Sequence, residues 1–195
     1  MVTRHRAQVR VELLDAASEL FAAVGYAEVT HADIAQAAGI GRTTFYEYFG
    51  SKEDALVQLV EERLPRLAGE ILEAIPEDLD TVSRMSELSL RMIEFVATDP
   101  LGVLLHTEVP RLDPASQRKI AEAHTGLTAE FVKVYRRGVR EGVFREMPVD
   151  VAARLIHEVI MAAGRVLVAS REPRRRVGEV AGNVAGFLIA GLSSN

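Results

Sequence analysis

The sequence predicts an all-α protein, with an N-terminal three-helix domain of the helix-turn-helix kind followed by a larger helical domain. Apolar residues recur at helical spacing between short Pro, Gly and Asp punctuations. Ala, Val and Leu abound, aromatic residues make up only 6% of 195, and Trp is absent, which suits closely packed helices better than a sheet sandwich. No internal repeat, low-complexity tract or pair of strand-like segments breaks the pattern.

The elements follow in order. Residues 1–8 read as a basic, frayed arm. The first helix is predicted from about Gln8 to Val24, with Leu13, Ala17, Leu20, Phe21 and Val24 on one face and Gly25 as its stop. A second begins at Thr30, whose hydroxyl caps the opening turn, with Asp33 in capping-box spacing and Ile34, Ala35 and Ala38 on its apolar face. Gly39 supplies a tight turn, and a third helix runs from about Arg42 to Tyr48, with Phe45 and Phe49 on the buried side. Ser51 and Asp54, again in capping-box spacing, open a fourth helix to about Ile75, which Pro65 should kink. Further helices are predicted over Asp80–Ala97, from Asp99-Pro100 to about Thr107, and from Asp113-Pro114 in one long run to about Glu141. Two more follow, from Asp150 to about Ser170 and from Pro173 to about Leu192. The functional boundary falls near residue 56, giving domains 1–56 and 57–195.

Two short helices across a glycine turn match a helix-turn-helix, whose second helix enters the DNA major groove. The residues Gly25-Tyr26, Thr30, Ile34-Ala35, Ala38-Gly39-Ile40, Thr44-Phe45-Tyr46, Tyr48-Phe49 and Ser51 through Leu56 resemble the DNA-binding domain of the tetracycline-repressor (TetR) family of bacterial transcription regulators. The specific match covers about a quarter of the chain. Two positions depart from the family pattern. Gly41 stands where the family often has Ser or Thr, and Glu47 puts a negative charge on the third helix.

Arg42, at the start of the third helix, is the expected base reader, since Arg pairs with guanine O6 and N7. Thr43 and Thr44 can offer hydroxyls to phosphates or methyls to thymine. Tyr46 and Tyr48 flank the exposed side, with core packing the alternative, above all for Tyr48. The resemblance implies phosphate contacts for Thr44, Thr30 and Lys52. Phe21, Phe45 and Phe49 belong to the core. Residues 1–56 carry five Lys/Arg against eight Asp/Glu, so DNA affinity is expected to be modest and salt-dependent.

Gly178, Gly182, Gly186 and Ala190 recur every four residues on the last helix. Each helical glycine costs roughly 1 kcal/mol against alanine, so the stripe suggests close packing. The resemblance implies a homodimer through the last two helices. Packing within one subunit is the other use of the same residues. The middle helices would then hold an effector pocket, with Met85, Met92, Phe95, Leu105, Phe131, Tyr135, His157 and Met161 as candidates, any of which can equally be plain core.

No nucleophile elbow, phosphate loop or Cys/His arrangement appears, so no enzymatic activity, catalytic residue, metal or cofactor is expected. His106 and Glu108, two apart, do not share a helix face. Zero Cys excludes disulfides and thiol redox sensing. No apolar run is long enough to span a bilayer and no signal core follows the N-terminus, so a cytoplasmic protein without membrane partners is expected. The expected function is ligand-responsive regulation of transcription, with a repressor on a palindromic operator of double-stranded DNA, released by a small, largely apolar effector. The alternative is a helical small-molecule-binding or interaction protein without DNA binding.

Overall fold

The computed structural model of the chain describes residues 2–194, with side chains from Arg6 onward. Ten α-helices are described: α1 (Val2–Val24), α2 (His31–Ala37), α3 (Arg42–Phe45), α4 (Lys52–Glu73), α5 (Thr81–Thr98), α6 (Pro100–Thr107), α7 (Pro114–Ala123), α8 (Thr125–Arg140), α9 (Val149–Val168) and α10 (Pro173–Leu192). A single 3-10 turn, Val109–Arg111, precedes α7. The only strand-like feature among the described residues is an antiparallel bridge between Phe144 and Ser193.

The chain condenses into two compact units. One holds residues up to Leu64 together with Thr107–Ala123; the other holds Pro65–His106 and everything from His124 on. The first unit reaches past residue 56 because the next turns of α4 pack with α1. Leu59, Val60 and Leu64 are fully buried. Arg10 bonds Gln58 and Glu62, and Arg63 bonds Ser18 and Asp15. Leu13, Ala17, Phe21, Ile34, Phe45 and Phe49 complete this core, but Val24, expected on the same face, is 56% exposed at the end of its helix.

Two expectations need correction. Residues 2–7 are not a frayed arm but the first turns of α1, and Met1 lies outside the described residues. No helix breaker stands among them, and the Arg6 guanidinium lies 5.7 Å from the centre of the Tyr48 ring, a cation–π approach that ties this end down. The long helix predicted from Asp113 to Glu141 is two helices, interrupted at His124. Thr125 and Gly126 are weak helix formers at the point where the chain passes from one unit to the other.

In the second unit α5 is central and packs against α8, α9 and α10. Its N-cap is Asp80, which accepts from the backbone N–H of Val82 and Ser83, both at 2.9 Å. These bonds, with one from the Ser83 hydroxyl, hold its carboxyl below the usual carboxylate range. Arg84 of α5 reaches Glu130 of α8 at 2.8 Å, with both side chains largely withdrawn from water. Gly102 lets α6 lie directly on α5, since a Cβ there would stand 2.2 Å from the Phe95 carbonyl oxygen.

Candidate DNA interface and effector cavity

The helix-turn-helix is held by local bonds that its sequence specifies. The Thr30 hydroxyl accepts from the Asp33 N–H at 3.2 Å, and the Asp33 carboxylate accepts from the Thr30 N–H at 2.8 Å. The Thr30 hydroxyl also donates to that carboxylate at 2.7 Å, and these bonds hold the Asp33 carboxyl below its ordinary range. Gly39 adopts φ +70°, and Ile40 N–H bonds back to the Ala35 carbonyl at 2.9 Å, a glycine-terminated helix end that turns the chain into α3. Gly41 is the N-cap of α3 and supplies no side-chain bond. α3 itself is shorter than expected: regular helix ends at Phe45 and the chain continues as turn through Tyr48.

Arg42 and Thr43 are exposed and Thr44 is half-buried, while Phe45 is fully buried beneath them. Tyr46 is 50% exposed. Its ring is braced by His31 at 5.0 Å between centres and by Phe45 edge-on at 5.6 Å. Tyr48 is half-buried under Arg6. Among the described residues Arg42 makes no ion pair, whereas Arg10 and Arg63 of the same unit are paired with Glu62 and Asp15.

Lys52 is placed differently from the phosphate contact that the resemblance implied. Its ammonium donates to the carbonyls of Tyr26 at 2.6 Å, Val29 at 2.7 Å and Ala27 at 3.3 Å, and sits 4.3 Å from the centre of the Tyr26 ring. An ammonium has three N–H donors, and these carbonyls take all three. Burial pulls the Lys52 ammonium below its ordinary value, against the pull of Glu108 and Glu28. Burial first, then Glu53 and Glu108, pushes the Tyr26 phenol up to about 12. Lys52 is thus a clamp on the loop that leads into α2. Lys52→Met should cost about 1–3 kcal/mol in urea unfolding, because three carbonyls lose a charged donor. A variant with unchanged stability whose DNA binding merely loses one unit of salt dependence would make Lys52 a phosphate contact after all.

In the second unit, Met92 of α5 joins Leu127, Phe131, Ile156, His157 and Met161 in lining a cavity between α8 and α9, together with His124, Thr128, Ala153 and Ile160. Its free volume is about 30 Å³, so side chains nearly fill it. Four of the residues expected at an effector site are here: Met92, Phe131, His157 and Met161. Met85 is fully buried core and Leu105 lies elsewhere, while Phe95 borders a shallow cleft with Leu67 and Ile71. Tyr135 is a tether: its hydroxyl bonds the Arg145 and Met147 carbonyls and accepts from the Met147 N–H at 2.9 Å. His106 packs beside Gly164 and bonds the Met161 backbone, while its Nε2 is buried with no partner.

Gly178, Gly182 and Gly186 are all exposed, and a Cβ on any of them would meet nothing within 4 Å. Packing within the subunit therefore does not require them. Gly178 and Gly182 border an open groove beside Val82, Ser86 and Leu90 of α5. Gly186 adjoins Phe187, which is 67% exposed. Val151, Leu155 and Val166 of α9 are also exposed, at spacings that place them on one helical face.

Comparison with known proteins agrees with this arrangement. Residues 13–59 match the profile described as bacterial regulatory proteins, tetR family, and residues 78–165 match the tetracyclin repressor-like C-terminal domain. The HTH-type transcriptional repressor KstR2 of Rhodococcus jostii is 30% identical over 159 residues, covering 80% of this chain and 78% of that protein. The chain belongs to the TetR family. This TetR-family regulator is also 26% identical over 152 residues to the fatty acid metabolism regulator protein of Bacillus subtilis, covering 77% of the chain and 78% of that protein. The structure of Bacillus subtilis FadR in complex with stearoyl-CoA shares its fold, with a TM-score of 0.80 at 23% identity, over 93% of this chain and 98% of that one. Among the described residues of the TetR-family chain, no helix is long and apolar enough to cross a membrane.

Sequence reasoning missed two residues of these candidate sites. His31 gave no signal, because its role beside Tyr46 arises from the meeting of α2 and α3. Phe187 was overlooked beside the glycine stripe. His124 was expected within one long helix, and the structure puts it at a break that opens onto the cavity.

Proposed function

We propose that this regulator is a homodimeric repressor that reads a palindromic operator through Arg42, Thr43, Thr44 and Tyr46 and leaves it when a small, largely apolar molecule binds between α8 and α9. The observation that carries the reading is the exposure of Arg42, without an ion pair, on a helix seated on the buried Phe45. Thr30, exposed at the start of α2, and the half-buried Tyr48 flank that surface, each engaged locally. The exposed apolar residues of α9 and α10 favour a two-fold pairing of subunits, which matches the two half-sites of a palindrome.

Footprinting of the DNA upstream of the protein's own coding region, with and without apolar compounds, tests the reading directly. Absence of a protected site there, at low salt and without effector, would count against DNA regulation by this chain. Arg42→Ala should weaken operator binding by about 1–3 kcal/mol and relax preference at one base pair per half-site. An equal loss on operator and random DNA would assign Arg42 to the phosphates instead.

A further inference from the structure

We propose that the cavity between α8 and α9 takes a weak organic acid, an apolar body carrying one carboxylate. The proposal rests on reading this cavity as the effector site. Its floor and its rim differ. Met92, Leu127, Phe131, Ile156 and Ile160 are buried, whereas His124 is half-exposed and Thr128 and His157 are exposed. The apolar end of a ligand belongs on the floor and its polar end at the rim.

The sign of that polar end follows from what the lining contains. Among the described residues, no Asp, Glu, Lys or Arg lines the cavity. A cationic ligand would meet no carboxylate, and the one aromatic ring, Phe131, lies on the floor and forms no cage. The ionisable groups of the lining are two imidazoles. An imidazole answers an anion by taking up a proton and becoming a charged donor, whereas to a cation it offers one neutral acceptor nitrogen and no charge. The Thr128 hydroxyl adds a further donor at the same edge.

Charged side chains on the surrounding elements are largely paired with one another. On α9, Arg154 and Glu158 pair at 3.5 Å, and Arg165 lies further along. On α5, Arg91 pairs with Glu87 at 2.8 Å, and on α8 Glu130 is taken by Arg84 and Lys133. Glu122 precedes His124 by two residues. On α6, burial holds the His106 imidazole below its ordinary value, with Arg165 and His157 adding to the effect. The small free volume requires the lining to part. Met92 and Met161 are unbranched and have three flexible torsions each, so they give way most readily.

Two matched sets of probes test the class: adamantanecarboxylate, adamantanol and adamantylamine, and decanoate, decanol and decylamine below their aggregation limits. Calorimetry at about pH 7.5, in two buffers of different ionisation enthalpy, reads affinity and proton uptake together. In at least one set the acid should bind about tenfold or more tighter than the amine, as expected for a hydrogen bond to a charged group. Acid binding should draw up to about one proton per subunit from the buffer, and alcohol binding none. The double variant His124→Leu/His157→Leu should lose the uptake and about tenfold in acid affinity, while holding the alcohol within about threefold. Thermal melting of the double variant confirms that it is folded.

An amine that binds as tightly as its acid, acid binding without proton uptake, or failure of all six probes to bind would overturn the proposal. Operator gel shifts with the same probes separate this result from the regulatory reading. Acid binding that leaves operator occupancy unchanged keeps the ligand class and removes the effector role. Release by amines alone keeps the effector role and removes the ligand class.

Discussion

Gly102→Ala should lower stability by about 3 kcal/mol, the upper part of the usual range for overpacking, because the atom in the way is not a side chain that can turn aside. The new Cβ would stand 2.2 Å from the Phe95 carbonyl oxygen and 2.9 Å from the Val96 Cα, both in the backbone of α5. Relief requires α6 to lift off α5 as a body. For a chain of this size each kcal/mol corresponds to about 2–4 °C, so the melting temperature should fall by roughly 6–12 °C. Gly69→Ala is the control. It lies within α4, a Cβ there meets nothing within 4 Å, and replacing a helical glycine should be neutral or stabilising by up to about 1 kcal/mol. Equal melting temperatures for the two variants would mean that α6 is not fixed against α5 in solution.

The second large effect is expected at the apolar face of α9 and α10. Leu155→Asp combined with Phe187→Asp places two charges where Leu155 is 50% and Phe187 67% exposed in the single subunit. The fold of one subunit should survive, since neither side chain belongs to its core. If this face pairs two copies, the buried carboxylates would separate them, and sedimentation should report monomers. Operator affinity should then fall by about 10²–10⁴-fold, the usual advantage of holding two reading heads together. A double variant that still sediments as a dimer with wild-type affinity would move the subunit interface elsewhere.

Local chemistry made much of the fold legible. The capping pairs Thr30/Asp33 and Ser51/Asp54 and the turn glycine Gly39 each act through residues within a few positions, and sequence spacing displays such devices directly. Lys52 was legible as a position but not as a contact, because its three carbonyl partners lie more than twenty residues upstream and come to it only through folding. The break at His124 depends on the division of the chain between two units, which helical periodicity does not register. Phe187 was obscured for a related reason. Which side of α10 faces outward depends on where α5 lies against it, and the glycines advertise small size without indicating direction. The cavity was half legible, since apolar helix positions that line it and those that fill the core share the same spacing.

The first unit is assembled from two separate stretches of sequence. Its second stretch is joined to the first by the Glu53 carboxylate, which accepts the Asp113 N–H at 3.1 Å just where Asp113 caps α7. The polypeptide therefore crosses between the units three times, after Leu64, after His106 and after Ala123. A head made this way is not a detachable cassette. Recombination that exchanged only the leading stretch between relatives would pair one ancestor's Glu53 with another's α7.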